Sequence, residues 1–152
     1  MGTPSDRLKE LGIALPSVTA PAGAYVPTRR AGSLVFTAGQ LPFVDGALLA
    51  TGKVGAEVSA EDARDHARAC ALNALAALDA LVGIDAVTGV VKVVGFVASA
   101  PGFSGQPGVV NGASDLLVEV FGEAGRHARS AVGVAELPLN APVEVELIVE
   151  VA

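Results

Sequence analysis

Val90-Val91-Lys92-Val93-Val94-Gly95-Phe96-Val97 is β-branched at every position except Lys92, Gly95 and Phe96, a composition that suits a strand buried on much of both faces. Such a strand belongs in the interior of a sheet, and its neighbours in sequence say what covers it. Upstream, Ser59 is a good N-cap followed by Glu61, Asp62 and Asp65 in a first turn that favours acidic side chains. Ala67, Cys70, Ala74, Leu78 and Leu81 then recur every three or four residues, and Gly83 can supply a left-handed stop. Downstream, the loop from Pro101 to Pro107 leads into Val109 to Phe121, where apolar residues return at helical spacing before Gly122 and Gly125. One helix precedes the strand and one follows it.

The flanking segments complete a sheet. Tyr25 to Thr28 and Ser33 to Ala38 read as a hairpin around Arg29-Arg30-Ala31-Gly32, and Asp45-Gly46 is a tight-turn signal. Ala128 to Ala135 and Val143 to Val151 are two more strands joined through Pro138-Leu139-Asn140-Ala141-Pro142. The order is β-β-α-β-α-β-β, an α+β domain with two helices packed on one face of a sheet. Residues 1–20 form an amino-terminal arm, either a short amphipathic helix ending at Gly12 or a loose segment, with Pro16 and Pro21 keeping the following chain extended. Residues 21–152 are the single domain. The second sheet face, apolar around Val90 to Val97, calls for another subunit or stands as a hydrophobic monomer surface.

Composition narrows the function classes. The chain has 152 residues, enough for one core, and 51% are hydrophobic, yet no apolar run approaches the ~20 residues of a membrane-spanning helix. The first ten residues carry Asp6, Arg7, Lys9 and Glu10 and lack a secretory pattern, so the cytoplasm is the expected compartment and no membrane contact is expected. Ten Lys plus Arg against sixteen Asp plus Glu give a net charge of −6, which opposes a polyanion, so nucleic acid is not an expected partner. The short cationic clusters Arg29-Arg30 and Arg126-His127-Arg129 read as surface.

Three residues could carry chemistry by their position. In the strand from Ala128, alternation puts Arg129, Ala131, Gly133 and Ala135 on one face. A guanidinium beside small residues has room for a small anion, and its planar fork suits a carboxylate, although the same spacing fits an Arg on a solvated face. In the last strand Glu144 and Glu146 share a face about 6.6 Å apart, where two carboxylates serve one site or share solvent. His66 and His127 read as surface residues, and Cys70, the only cysteine, as core. No metal-ligand spacing, phosphate loop or nucleophile elbow is present, so no metal site is expected, nor is covalent catalysis.

The run Ala128-Arg129-Ser130-Ala131-Val132-Gly133-Val134-Ala135-Glu136-Leu137-Pro138, followed by Val143-Glu144-Val145-Glu146, resembles the signature of the RidA (YjgF) family. Ala24-Tyr25-Val26, Phe36-Thr37-Ala38-Gly39-Gln40-Leu41-Pro42 and Val110-Asn111 support the resemblance in the same order, from about Pro21 to the end. It implies a chorismate-mutase-like fold assembled as a homotrimer, with a cleft at each subunit interface and no cofactor. It implies an enamine/imine deaminase that hydrolyses reactive 2-imino acids, of the 2-aminoacrylate type, to 2-keto acids and ammonia. Arg129 would hold the substrate carboxylate and Glu144 would orient the attacking water. Tyr25 and Asn111 would line the cleft, and backbone groups of Gly39 and Ala131 would contact substrate. Ala38 stands where active members usually have Ser, and Ala131 where many have Cys. The same family includes members labelled as endoribonucleases or translation inhibitors, and a trimer that binds a small carboxylate without turnover is a third reading.

Overall fold

The computed structural model describes residues 2–18, 20–21 and 23–152. Its centre is the strand expected from Val90 to Val97, extended at both ends to Val87–Ala98 (β5). β5 runs antiparallel to Val143–Val151 (β7) and parallel to Ala128–Val134 (β6). A parallel pair needs a crossover, and the helix Gln106–Phe121 (α3) provides it. With Thr28–Ala31 (β1) and Leu34–Thr37 (β2), the five-stranded order is β1-β2-β7-β5-β6.

Helix α2, Ala60–Val82, starts and stops where the local signals place it. Ser59 Oγ accepts from the Asp62 amide at 3.1 Å, and Gly83, at φ +78°, donates its amide to Asp79. Ala67, Cys70, Ala74 and Leu78 are fully buried, but Leu81 is 46% exposed. The 3.6-residue turn carries the buried stripe from Leu78 to the partly buried Val82 instead. α3 lies close against α2 and β5 because Gly112 and Gly95 leave room: a methyl at Gly112 would run into the Arg64 carbonyl, and one at Gly95 into the Val110 side chain.

Both helices cover one sheet face. Val35, Val93, Val97 and the alternate residues Val143, Val145, Leu147, Val149 and Val151 are buried there. The other face carries Leu34, Phe36, Val94, Phe96, Val132 and Ile148 interspersed with Glu144 and Glu146. It is only partly covered, with Phe36 40% and Val132 44% exposed.

Three local features go beyond the expected order. The first hairpin closes through the two residues Gly32-Ser33, with Gly32 at φ +62°, so Arg29 and Arg30 lie in β1 instead of the turn and Tyr25 to Pro27 precede the strand. Asp45 and Gly46, at φ +51° and +83°, turn a small extra hairpin between Phe43–Val44 (β3) and Ala47–Leu48 (β4). Near the start, Pro4–Glu10 (α1) takes the helical alternative, capped reciprocally by Thr3 and Asp6. It docks through buried Leu8, through Ser5 to Asp85 at 2.8 and 2.7 Å, and through Arg7 Nε to the Glu119 carbonyl at 2.8 Å. Among the described residues no helix is long and apolar enough to cross a membrane.

Candidate functional site

The sequence-derived site residues fall into two groups. The first surrounds Arg129 on the helix-covered side of β6, where its Cα partner in β5 is the buried Val93. Asn111 and Ser114, three residues apart on α3, face that strand. Arg129 Nη1 donates to Asn111 Oδ1 at 2.7 Å and to Ser114 Oγ at 3.2 Å, and Nη2 donates to the Pro107 carbonyl at 3.4 Å. Nε–H and one of the two Nη2–H groups meet no acceptor among the described residues. Nε and Nη2 together form the side-on edge of the guanidinium, the edge that grips both oxygens of a carboxylate. Ala131 is half-buried nearby, while the space over Gly133 is taken by Gln106 and Ser99, which share a 3.1 Å hydrogen bond.

His127 belongs to this group and is not a simple surface residue. It is half-buried, with Nδ1 2.6 Å from the Gly125 carbonyl oxygen and Nε2 2.9 Å from Ser114 Oγ. Ser114 has no signal in the sequence beyond its three-residue offset from Asn111. His127 had one, the strand alternation that puts it on Arg129's face.

The second group centres on Glu144 at the start of β7, on the opposite face of the sheet. Phe36 pairs with Ile148 but Gln40 pairs with Val145, so β2 has one residue too many between these rungs. The resulting bulge at Ala38-Gly39 parts the chain from β7. Thr37 Oγ1 stands in for the missing carbonyl by accepting from the Leu147 amide at 2.9 Å. Glu144 fills the gap: a Cβ on Gly39 would lie 2.8 Å from its Cδ. Its carboxyl faces a cleft of about 350 Å³ lined by Tyr25, Ala38, Gly39, Leu41, Phe43 and Leu139. Burial, and then the negative charge of Glu146, push the Glu144 carboxyl above its ordinary value of 4.5. Glu146 lies in an adjoining recess with Arg29, Phe36 and Phe96.

Thus Tyr25, Gly39 and Glu144 come together, and Arg129, Asn111 and Ala131 come together, but within one chain the two groups stand on opposite sheet faces. Three other polar or nucleophilic residues lie apart from both groups. His66, expected on the surface, is 5% exposed on the flank of α2 that also carries Asn73, whose Nδ2 donates to the Leu41 and Phe43 carbonyls at 3.0 Å each. Cys70 is fully buried with its thiol 3.7 Å from the Val143 carbonyl, and burial raises its pKa well above the ordinary value. Among the described residues no group of three or more His, Cys, Asp or Glu could hold a metal ion.

Known proteins match the chain along nearly its whole length. Residues 5–151 match the family described as "YjgF/chorismate mutase-like, putative endoribonuclease". Protein TCP17 of Trypanosoma cruzi is 46% identical over 151 residues, 98% of this chain and 94% of that protein. A crystal structure from Shewanella oneidensis, named "a putative endoribonuclease", superposes with a TM-score of 0.94 at 36% identity, covering 99% of this chain and 100% of that one. TdcF of E. coli, solved with bound serine, has a TM-score of 0.66 at 26% identity and covers 91% and 96% of the two chains. From the match along nearly its whole length and from the shared mixed α+β sheet, the chain belongs to the YjgF, or RidA, family.

Proposed function

We propose that the protein is an enamine/imine deaminase, hydrolysing 2-imino acids of the 2-aminoacrylate type to 2-keto acids and ammonia. The observation that carries this reading is Arg129 itself, held through Nη1 by Asn111 and Ser114 while Nε–H, on the edge shaped for a planar carboxylate, has no protein acceptor among the described residues. An imine is already electrophilic, so the protein has only to anchor it, place a water and move protons. Glu144 suits the second task. Burial, and then the charge of Glu146, raise its pKa and make the carboxylate a better base than an exposed one. On the protonated imine it takes a proton as water adds to the C=N carbon, returns it to nitrogen, and takes the hydroxyl proton as the C–N bond of the carbinolamine breaks and ammonia leaves.

A single chain keeps Arg129 and Glu144 on opposite faces, so this chemistry requires the edge of one subunit to meet the cleft of another. A homotrimer supplies such meetings around a closed ring, and the half-covered face bearing Phe36, Val94, Phe96 and Ile148 supplies apolar surface for it. The serine bound by TdcF, a relative, is a small amino acid and fits a site that accepts a carboxylate.

One observation favours a second reading, a trimer that binds a small carboxylate without turnover: Ala38 and Leu139 make the Glu144 cleft poor in hydroxyls that could share the water. The endoribonuclease name of the Shewanella relative fits less well with a net charge of −6 and with Glu144 and Glu146 on the open face. The decisive experiment generates a 2-imino acid with an amino-acid oxidase and follows keto acid and ammonia with and without the purified protein. Acceleration over the spontaneous reaction is expected, and it should disappear in Arg129→Ala. No acceleration, with retained 2-oxobutanoate binding, would move the protein to the second reading.

A further inference from the structure

The sequence cluster Arg126-His127-Arg129 contains a residue that the proposed chemistry does not use. His127 Nδ1 lies 2.6 Å from the Gly125 carbonyl oxygen. A carbonyl only accepts, so Nδ1 carries the proton, and in the neutral ring Nε2 is left as an acceptor. Ser114 Oγ sits between that Nε2, at 2.9 Å, and Arg129 Nη1, at 3.2 Å. A guanidinium only donates, so Ser114 accepts from Arg129 and turns its single proton toward His127. The direction of every bond from Arg129 to Ser114, His127 and Gly125 is then determined. Donating to His127 also makes the hydroxyl a stronger acceptor for Arg129.

The remaining Nη1 hydrogen goes to Asn111 Oδ1 at 2.7 Å. With both Nη1 hydrogens tied to α3, the guanidinium cannot turn in its plane without breaking two bonds. The neighbouring charges do not compete for it. Asp115 is paired with Arg64 at 2.7 Å, and Arg126 with Glu123 at 3.3 Å.

We propose that Ser114 and His127 are positioning residues for the carboxylate anchor: the Gly125 carbonyl sets the His127 tautomer, His127 orients Ser114, and Ser114 fixes Arg129 so that its Nε/Nη2 edge faces the ligand. This rests on Arg129 being the anchor of the proposed function, and it adds two residues that touch no substrate. Positioning residues act on affinity for the anchored group and leave the chemistry at the imine carbon alone.

Two measurements test it. In the full-length protein at a pH where the ring is neutral, ¹⁵N NMR of His127 should show a protonated Nδ1 and an unprotonated Nε2; a proton on Nε2 overturns the proposal. Titration with 2-oxobutanoate and imino-acid hydrolysis should then be compared in Ser114→Ala, Ser114→Thr, His127→Phe and His127→Gln. Loss of one bond in a charged network predicts about a tenfold rise in Kd and KM for Ser114→Ala and His127→Phe, with kcat within about twofold because neither residue reaches the reacting carbon. Thr keeps the hydroxyl and Gln keeps an acceptor at the Nε2 position, so both should recover most of the affinity. This contrast separates positioning from loss of fold. Wild-type hydrolysis with all four variants unchanged sinks the positioning role alone. Wild-type binding without hydrolysis sinks the deaminase reading, and the binding series then decides the positioning role by itself.

Discussion

Arg129 has five N–H groups and commits three of them to protein acceptors, two from Nη1 and one from Nη2, leaving Nε–H without one among the described residues. Arg129→Lys keeps the charge but has neither the fork nor the reach to hold Asn111 and a carboxylate together. Its affinity for 2-oxobutanoate, read by calorimetric titration, should fall by at least about tenfold. At Glu144 the chemistry and the stability pull in opposite directions. Its carboxyl is raised above 4.5, so the folded chain keeps a proton that the unfolded chain has already lost. The contribution to stability is full below the ordinary value and is lost as pH rises through the raised one. Glu144→Gln should therefore melt higher than wild type at neutral pH, with the difference shrinking as pH falls below 4.5, while kcat for imino-acid hydrolysis falls by about a hundredfold or more. At this scale strand alternation set Arg129 beside Ala131 and Gly133 and left an anion site and a solvated face equally open; its hold on Asn111 and Ser114 of α3 was not legible there. His127 was misread, because its burial depends on the turn at Gly125 and on α3. The separation of Glu144 from Arg129 was illegible too: alternation sorts faces within a strand, and only the pairing register says which faces coincide across strands.

Local signals act over a few residues, and the elements built from them were the readable ones. Ser59 and Gly83 bracket α2 because a cap and a left-handed stop work without reference to the rest of the chain. Asp45-Gly46 turns as its type requires. The first hairpin shifted by about a turn's length because β-branched and aromatic composition at Tyr25 and Val26 resembles a strand, whereas the two-residue closure at Gly32-Ser33 sets the register. The bulge at Ala38-Gly39 left only a glycine as its trace. Two glycine substitutions should separate packing from site geometry. In Gly112→Ala the new methyl meets a backbone carbonyl of α2, which cannot give way like a side chain, so a stability loss on the order of 1–3 kcal/mol is expected in denaturant titrations. In Gly39→Ala it meets the end of the Glu144 side chain, 2.8 Å from Cδ. The carboxylate should swing aside, so hydrolysis should drop sharply with little change in the melting temperature.

Across the whole molecule, one sheet face is sealed by α2 and α3 and the other offers Phe36, Phe96, Val132 and Ile148 to the surroundings. The β-branched run at Val90 to Val97 pointed to both faces, and the structure divides them: the inner face is fully buried, and the outer is half-covered within one chain. For the proposed trimer, sedimentation should give three times the 15.1 kDa chain mass. Phe96→Asp, which places a charge among these side chains beside Glu144, should dissociate the assembly and abolish hydrolysis together. The amino-terminal helix packs on the far side, and Leu8→Ala, which empties a buried position, should cost about 2–4 kcal/mol in stability while leaving the association unchanged. β6 lies at the sheet margin, hydrogen-bonded to β5 on one side only. In such a strand every second amide points away from its neighbour. Deuterium uptake from Ala128 to Val134 should therefore alternate, fast and slow, in an isolated chain, and become uniformly slow once another subunit lies along that margin. The backbone that carries Arg129 thereby keeps an isotopic record of whether its ligand edge stands open or enclosed, readable in the resting protein before any substrate is added.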